Sequence, residues 1–175
     1  MMQSDCEAII VLKYGKKVAE SIQTGNIDSN IDFSNDLNKA LCLACIYGNE
    51  QSVDYFLSIG ATISCGSYIP FCLAAQYGHL KLVKRFLEMG ADVCAKDNYA
   101  IRWASFHGHL EVVKYLVSAG ANVSAQFDCA IHWAAKRENM EVVRYLHKKG
   151  ASLGYFTQEF MTKYNAFLKL NKYSF

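Results

Sequence analysis

Gly60-Ala61, Gly90-Ala91, Gly120-Ala121 and Gly150-Ala151 recur at a fixed spacing of thirty residues, and the sequence between them recurs with them. A period of roughly 20–50 residues marks a stacked array of small units rather than a single globular core. In such an array each unit buries its apolar face only against its neighbours, and the outer surface is free to vary.

Residues 98–120 show the unit in its clearest form. Ala100, Ile101, Ala104 and Ser105 share one face of a short helix. Gly108 can take the left-handed conformation that ends it. Val112, Val113, Leu116 and Val117 repeat the spacing in a second helix, with Glu111 in the first turn, where the helix dipole favours an anion. Gly120 closes that helix. Shifting by thirty reproduces the small pair as Ala44-Cys45, Ala74-Ala75, Ala104-Ser105 and Ala134-Ala135. Ahead of each second helix stand Asn49, His79, His109 and Asn139, which the spacing predicts as caps of free backbone N–H groups. Helices this short are marginal alone, so stacking must stabilise them.

These residues resemble the ankyrin repeat. The family's Thr-Pro-Leu-His-x-Ala-Ala, Gly-His and Gly-Ala-Asp wording is present in pieces. Ile69-Pro70-Phe71-Cys72-Leu73-Ala74-Ala75 with Tyr77-Gly78-His79-Leu80 carries the proline, and Ala130-Ile131-His132-Trp133-Ala134-Ala135 carries the histidine. Gly90-Ala91-Asp92-Val93 and Gly120-Ala121-Asn122-Val123 carry the closing turn. The resemblance covers about residues 39–153. The segment from Asn98 to Val117 is also similar to the ankyrin proteins of giant amoeba-infecting DNA viruses. The resemblance implies an all-α solenoid of helix-turn-helix units with helical end caps, and a protein–protein interaction role. The family repeat runs to about 33 residues; the three missing here fall where it places its β-hairpin finger, so shortened fingers and a shallow groove are expected. Glu138 stands where Gly48, Gly78 and Gly108 stand in the other units. If its φ stays positive, the Cβ should cost on the order of 1 kcal/mol.

The expected organisation is a degenerate N-terminal cap and loop over 1–35, repeats at 36–65, 66–95, 96–125 and 126–155, and a capping helix over 156–175. Within the first of these, 4–24 reads as helical and 26–36 as a loop rich in Asn, Asp and Ser. In the last, Phe156, Phe160, Tyr164, Phe167 and Leu168 follow helical spacing and read as an aromatic stripe that closes the core.

Composition narrows the function. The chain is 52% hydrophobic and 19% charged, which argues against disorder. The longest apolar run, Ala40 to Tyr47, is far too short to span a bilayer, and residues 1–17 lack the features of a secretory signal. An intracellular, cytoplasmic protein is expected, in the host cytoplasm if viral. Seven cysteines without a signal favour reduced thiols. Cys42-x-x-Cys45 is a lone pair with repeat equivalents at Cys72 and Ala75, so it reads as small buried side chains rather than as half of a zinc site. His79, His109 and His132 fall on repeat positions, and no phosphate loop, nucleophile elbow or paired acid is present. No enzyme, cofactor or metal is expected. Residues 1–60 carry eight acids against four bases, and 61–175 eight against fourteen. An acidic partner for the C-terminal half is one reading of that split; a solvated surface is the plainer one.

The positions that vary between units nominate a binding surface. At the end of each first helix stand Tyr47, Gln76-Tyr77, Phe106-His107 and Lys136-Arg137, a ladder on the face that is concave in the family. Tyr68, Asn98 and Asp128, with Tyr99 and Phe127, are expected beside them on the preceding loops. Aromatics and arginine are the residue types favoured at protein hot spots. Trp103 and Trp133 share one repeat position with Leu43 and Leu73 and read as core. The expected partner is a protein, bound by a monomer, with no membrane. A ubiquitin-ligase substrate adaptor docking through the end helix is a rival. Nucleic-acid binding through Lys136, Arg137, Arg144, Lys148 and Lys149 is disfavoured by a net charge of only +2.

Overall fold

The computed structural model describes residues 8–11, 13–154 and 156–171. All regular structure among them is helical. After helical residues 8–11 and 13–14 come α1 (Lys16–Thr24), α2 (Leu37–Tyr47) and α3 (Glu50–Ser58). They are followed by α4 (Cys65–Gln76), α5 (Leu80–Glu88), α6 (Ala95–Phe106), α7 (Leu110–Ser118), α8 (Ala125–Lys136), α9 (Met140–Lys148) and α10 (Gln158–Leu170). Four inner helices, α2, α4, α6 and α8, pair with outer helices α3, α5, α7 and α9. Inner helices of successive units pack more closely together than outer ones do.

The Gly-Ala beat is a backbone requirement. Gly60, Gly90, Gly120 and Gly150 hold φ between +89° and +105°. This reversal lets Ala61, Ala91, Ala121 and Ala151 donate their N–H to Phe56, Phe86, Leu116 and Leu146 at 2.9–3.0 Å, satisfying carbonyls a helix end leaves open. Each alanine is buried. The small pairs are buried as well: Ala44, Ala74, Ala104 and Ala134 are all 0% exposed.

The finger is trimmed further than its length suggests, since no strand occurs among the described residues. One left-handed turn replaces it at Gly66-Ser67-Tyr68, Lys96-Asp97-Asn98 and Gln126-Phe127-Asp128, with φ between +52° and +63°. Apart from Gly66, such residues are disfavoured there by roughly 1–2 kcal/mol each, so hydrogen bonds must hold the turn. Asn98 Oδ1 accepts from the Asn122 N–H at 2.7 Å, and Asp128 Oδ1 from the Ser152 N–H at 3.3 Å. Arg102 donates to the carbonyls of Lys96 and Asp97 at 3.0 and 3.1 Å.

The expected caps act differently from their assignment. Only Asn49 bonds its own helix, accepting from the Ser52 N–H at 2.8 Å. His79, His109 and Asn139 cap nothing in their own helices. They reach back to the preceding unit: His79 Nε2 meets the Ile46 carbonyl at 2.8 Å, and Asn139 Nδ2 donates to Ser105 and Phe106 at 3.0 and 2.9 Å. His109 makes the equivalent bond to the Gln76 backbone. These side chains staple unit to unit, and they cross the space a Cβ would need at Gly48, Gly78 and Gly108.

Glu138 keeps the left-handed backbone, with φ +57°. Its carboxylate accepts from Lys163 on α10 at 3.0 Å. Glu138→Gly should therefore relieve about 1 kcal/mol of backbone strain while losing an exposed ion pair worth a few tenths. The thermal midpoint is expected to rise slightly, and to rise more in a Lys163→Ala background. No rise in either background would refute the strain.

At the N-terminal end, Ile10 and Ile22 are fully buried, and Phe33 from the connecting segment fills the core beside Tyr14 and Phe56. Residues 4–7 of the expected cap lie outside the described residues. Asp36, 6% exposed, accepts from Lys13 at 2.6 Å, Lys39 at 2.9 Å and Tyr14 at 3.2 Å. The Lys13 hydrogen bond, then that of Lys39, holds its carboxyl down at about 2. The folded state therefore binds its proton less readily than the unfolded chain, so the contribution is full above about pH 4 and disappears as pH falls toward 2. Asp36→Asn should flatten stability against pH in that window and cost about 1 kcal/mol at neutral pH, because the lysine partners are half solvated. Urea midpoints at a series of pH values read both effects.

At the other end, α10 turns its aromatic side to the array. Tyr164 is 2% exposed, Phe156 lies 4.7 Å from the His132 ring, and the Arg144 guanidinium sits 5.9 Å from the Phe167 centroid.

Candidate functional site

Helix α6 has two faces of opposite character. Ala100, Ile101, Ala104 and Ser105 are buried at 0% exposure. Tyr99, Arg102, Trp103, Phe106 and His107 fall at i, i+3, i+4, i+7 and i+8, and form a stripe on the inner, solvent-facing side. The stripe is continuous. Tyr99 stacks on Trp103 at 5.6 Å and Trp103 on His107 at 5.9 Å, with Phe106 edge-on to Trp103 at 5.4 Å.

Neighbouring units extend it. From α4, Gln76 Oε1 accepts from the Tyr99 hydroxyl at 3.0 Å, and Tyr77 at the end of that helix stacks with His107 at 6.3 Å. From α8, Trp133 meets Trp103 edge-to-face at 5.1 Å and Phe106 at 6.0 Å. Guanidinium groups cover two rings: Arg102 lies 5.5 Å from the Trp133 centroid, and Arg137 5.0 Å from that of Phe106. Each ring fixes the next, so the surface is held in place before any ligand arrives. Beside it, Phe106, His107, Lys136, Arg137, Glu138 and Asn139 line an open, mostly polar hollow.

Burial, and then the Arg137 charge, lowers the His107 pKa; burial lowers that of His109. Tyr99 is pushed up to about 12, chiefly by burial. The thiols of Cys72, raised to about 12, and of Cys45, raised well above the ordinary range, are desolvated and behave as apolar filler. Among the described residues no group of three His, Cys, Asp or Glu side chains could hold a metal ion, and no helix is long and apolar enough to cross a membrane. What this arrangement offers chemically is contact area and cationic hydrogen-bond donors.

The sequence candidates divide. Gln76, Tyr77, Phe106, His107, Lys136 and Arg137 gather at the C-terminal ends of α4, α6 and α8. Tyr47 holds the same helix-end place one unit earlier, half-buried against the core. Tyr68, Asn98 and Asp128 do not stand beside them; they sit in the left-handed turns at the opposite ends of the inner helices. Asn98 is buried and holds the Asn122 N–H, so its side chain is an internal tie. Asp128 ties Ser152 in the same way, and Tyr68 packs against the core. Phe127, 91% exposed, stands at the tip of its turn.

Trp103 and Trp133 correct the reading as core. Leu43 and Leu73 are 0% exposed at that position, whereas both tryptophans are half-buried and lie outside the core. The indole is too large for the slot that holds leucine, so it spreads over the inner surface. The available signal was the change from Cys42-Leu43 and Cys72-Leu73 to Arg102-Trp103 and His132-Trp133. The cations split as well: Lys136 and Arg137 line the hollow above, while Arg144 and Lys148 line a groove between outer helices with Leu110, Lys114, Glu141 and Tyr145.

No curated protein matches the chain at a significant level. The family model described as ankyrin repeats (3 copies) matches residues 8–97 and 71–157. With its four stacked helix pairs, left-handed glycine turns and buried alanine pairs, this chain belongs to the ankyrin-repeat family.

Proposed function

We propose that this chain is a non-enzymatic interaction module that holds a partner protein against the inner, concave side of its stack. Ankyrin repeats are generally protein–protein interaction modules. The observation that supports this placement is the partly exposed stripe of Tyr99, Arg102, Trp103, Phe106 and His107, continued by Trp133 and Arg137. Tyr, Trp and Arg carry most binding energy at protein interfaces, and a surface locked by its own ring contacts loses little entropy on binding. Gln76, Tyr77 and Lys136 belong to the same contact surface, and Tyr47 extends it by one unit. A monomer acting inside a cell, on host proteins in the viral case, belongs to the same reading. The adaptor alternative would need an exposed motif on α10, but its Tyr164 is buried and Phe156, Phe160 and Phe167 face the array.

The test compares three forms of the full chain, each checked for helical content, as bait in extracts of the native cell. The wild type should capture a protein that Trp103→Ala/Arg137→Ala loses and that Tyr115→Ala/Tyr145→Ala, on the outer helices α7 and α9, retains. The reverse pattern would move the site to the outer helices.

A further inference from the structure

We propose that the concave surface selects an acidic partner segment, one in which carboxylate side chains flank an apolar anchor. The proposal rests on the concave-face reading and names the chemistry of its occupant. Lys136 and Arg137 are exposed at the hollow beside Phe106 and His107, and Arg102 lies nearby. Among the described residues, no carboxylate lies within ion-pair distance of any of the three. Glu138 lines the same hollow, but its carboxylate is bound to Lys163. On the outer helices, Lys81 pairs with Glu50, Arg85 with Asp54 and Lys114 with Glu111, while Lys84 lies over the Tyr115 ring and Arg144 over that of Phe167. Arg137 is held over the Phe106 ring, so its guanidinium is oriented before a carboxylate arrives.

The aromatic half of the surface sets the other requirement. The faces of Trp103 are taken by Tyr99 and His107, and a face of Trp133 by Arg102. That leaves little face on the two indoles for the base stacking that single-stranded nucleic acids need. A polyanion running along the inner helices would also meet Asp97 and Asp128 at their far ends. An acidic peptide with its carboxylates at one end of the groove avoids both.

Random-peptide display on the full chain tests this, run in parallel on Lys136→Glu/Arg137→Glu and on Trp103→Ala/Trp133→Ala, with folding verified by circular dichroism. Peptides recovered on the wild type should be enriched in Asp and Glu next to Leu, Ile or Phe. Their affinity should fall at least tenfold on the charge-reversed variant. The proposal is overturned if no peptide is recovered, if recovered peptides lack acidic enrichment, or if acidic ones bind the charge-reversed variant equally well. Neutral apolar peptides lost only with the tryptophans would leave the concave-face reading standing and remove the acidic partner. Peptides indifferent to both variants but lost on Tyr115→Ala/Tyr145→Ala would remove both. Oligouridylate binding the wild type more tightly than any recovered peptide, and losing that affinity on charge reversal, would replace the peptide with RNA.

Discussion

Replacing Gly78 by alanine is expected to destabilise the array by about 2–4 kcal/mol, well beyond the strain of a left-handed alanine alone. Gly78 has φ +81°, and a Cβ there would lie 2.6 Å from Nδ1 of His109. The imidazole cannot yield freely, because it bonds the Gln76 backbone of the preceding unit. Either the ring moves, leaving that carbonyl and its own nitrogen short of a partner, or the units separate slightly. Gly120 provides the control, since it has φ +100° and nothing within 4 Å of its would-be Cβ. Gly120→Ala should cost about 1 kcal/mol, the backbone term alone. In a Gly78→Ala/His109→Ala double variant the penalties should be less than additive, because the clash disappears with the ring. Equal losses at Gly78 and Gly120 in urea melts would show that the staple does not set the glycine requirement.

Phe33→Ala should cost about 3–5 kcal/mol, the usual penalty for emptying a buried aromatic site. Phe33 is 2% exposed, with its ring 5.1 Å from Tyr14 and 5.2 Å from Phe56. Because units in an array contact only their neighbours, the loss should be local. Amide exchange should accelerate through α1 and α2, while Val113, Leu116, Val143 and Leu146 stay protected. Phe127→Ala, at a side chain 91% exposed, should change stability by less than about 0.5 kcal/mol. A loss below 1 kcal/mol for Phe33→Ala, or protection falling evenly along the chain, would contradict its role as the plug of the N-terminal end.

Much of this organisation is legible from residue spacing. The Gly-Ala beat marks each outer-helix end because only a positive φ lets the alanine N–H turn back. Ala104-Ser105 and its equivalents mark the contact between units because only small side chains fit there. His79 and His109 precede a helix, the usual place of a cap, yet they bond the unit behind, because reach across the stack is not encoded in local spacing. For the tryptophans, repeat position does not carry environment. The position is shared with Leu43 and Leu73, but the volume available there is not enough for an indole.

The period of thirty, with its glycines and small pairs, dictates helix pairs stacked in register, since covalent spacing and φ requirements belong to the chain before it folds. The division of α6 into a buried and an open face also follows from helical periodicity. Which of those faces meets the neighbouring unit, and which side chains then cross to it, is settled only by stacking. Arg102 reaches Trp133, Tyr99 reaches Gln76, and Asn139 reaches Ser105 and Phe106 across distances in sequence that no local rule encodes. The candidate surface is made of those crossings. It exists because the inner helices of successive units pack together, and its cations stay open because Glu138, the acid lining the hollow, is bound to Lys163.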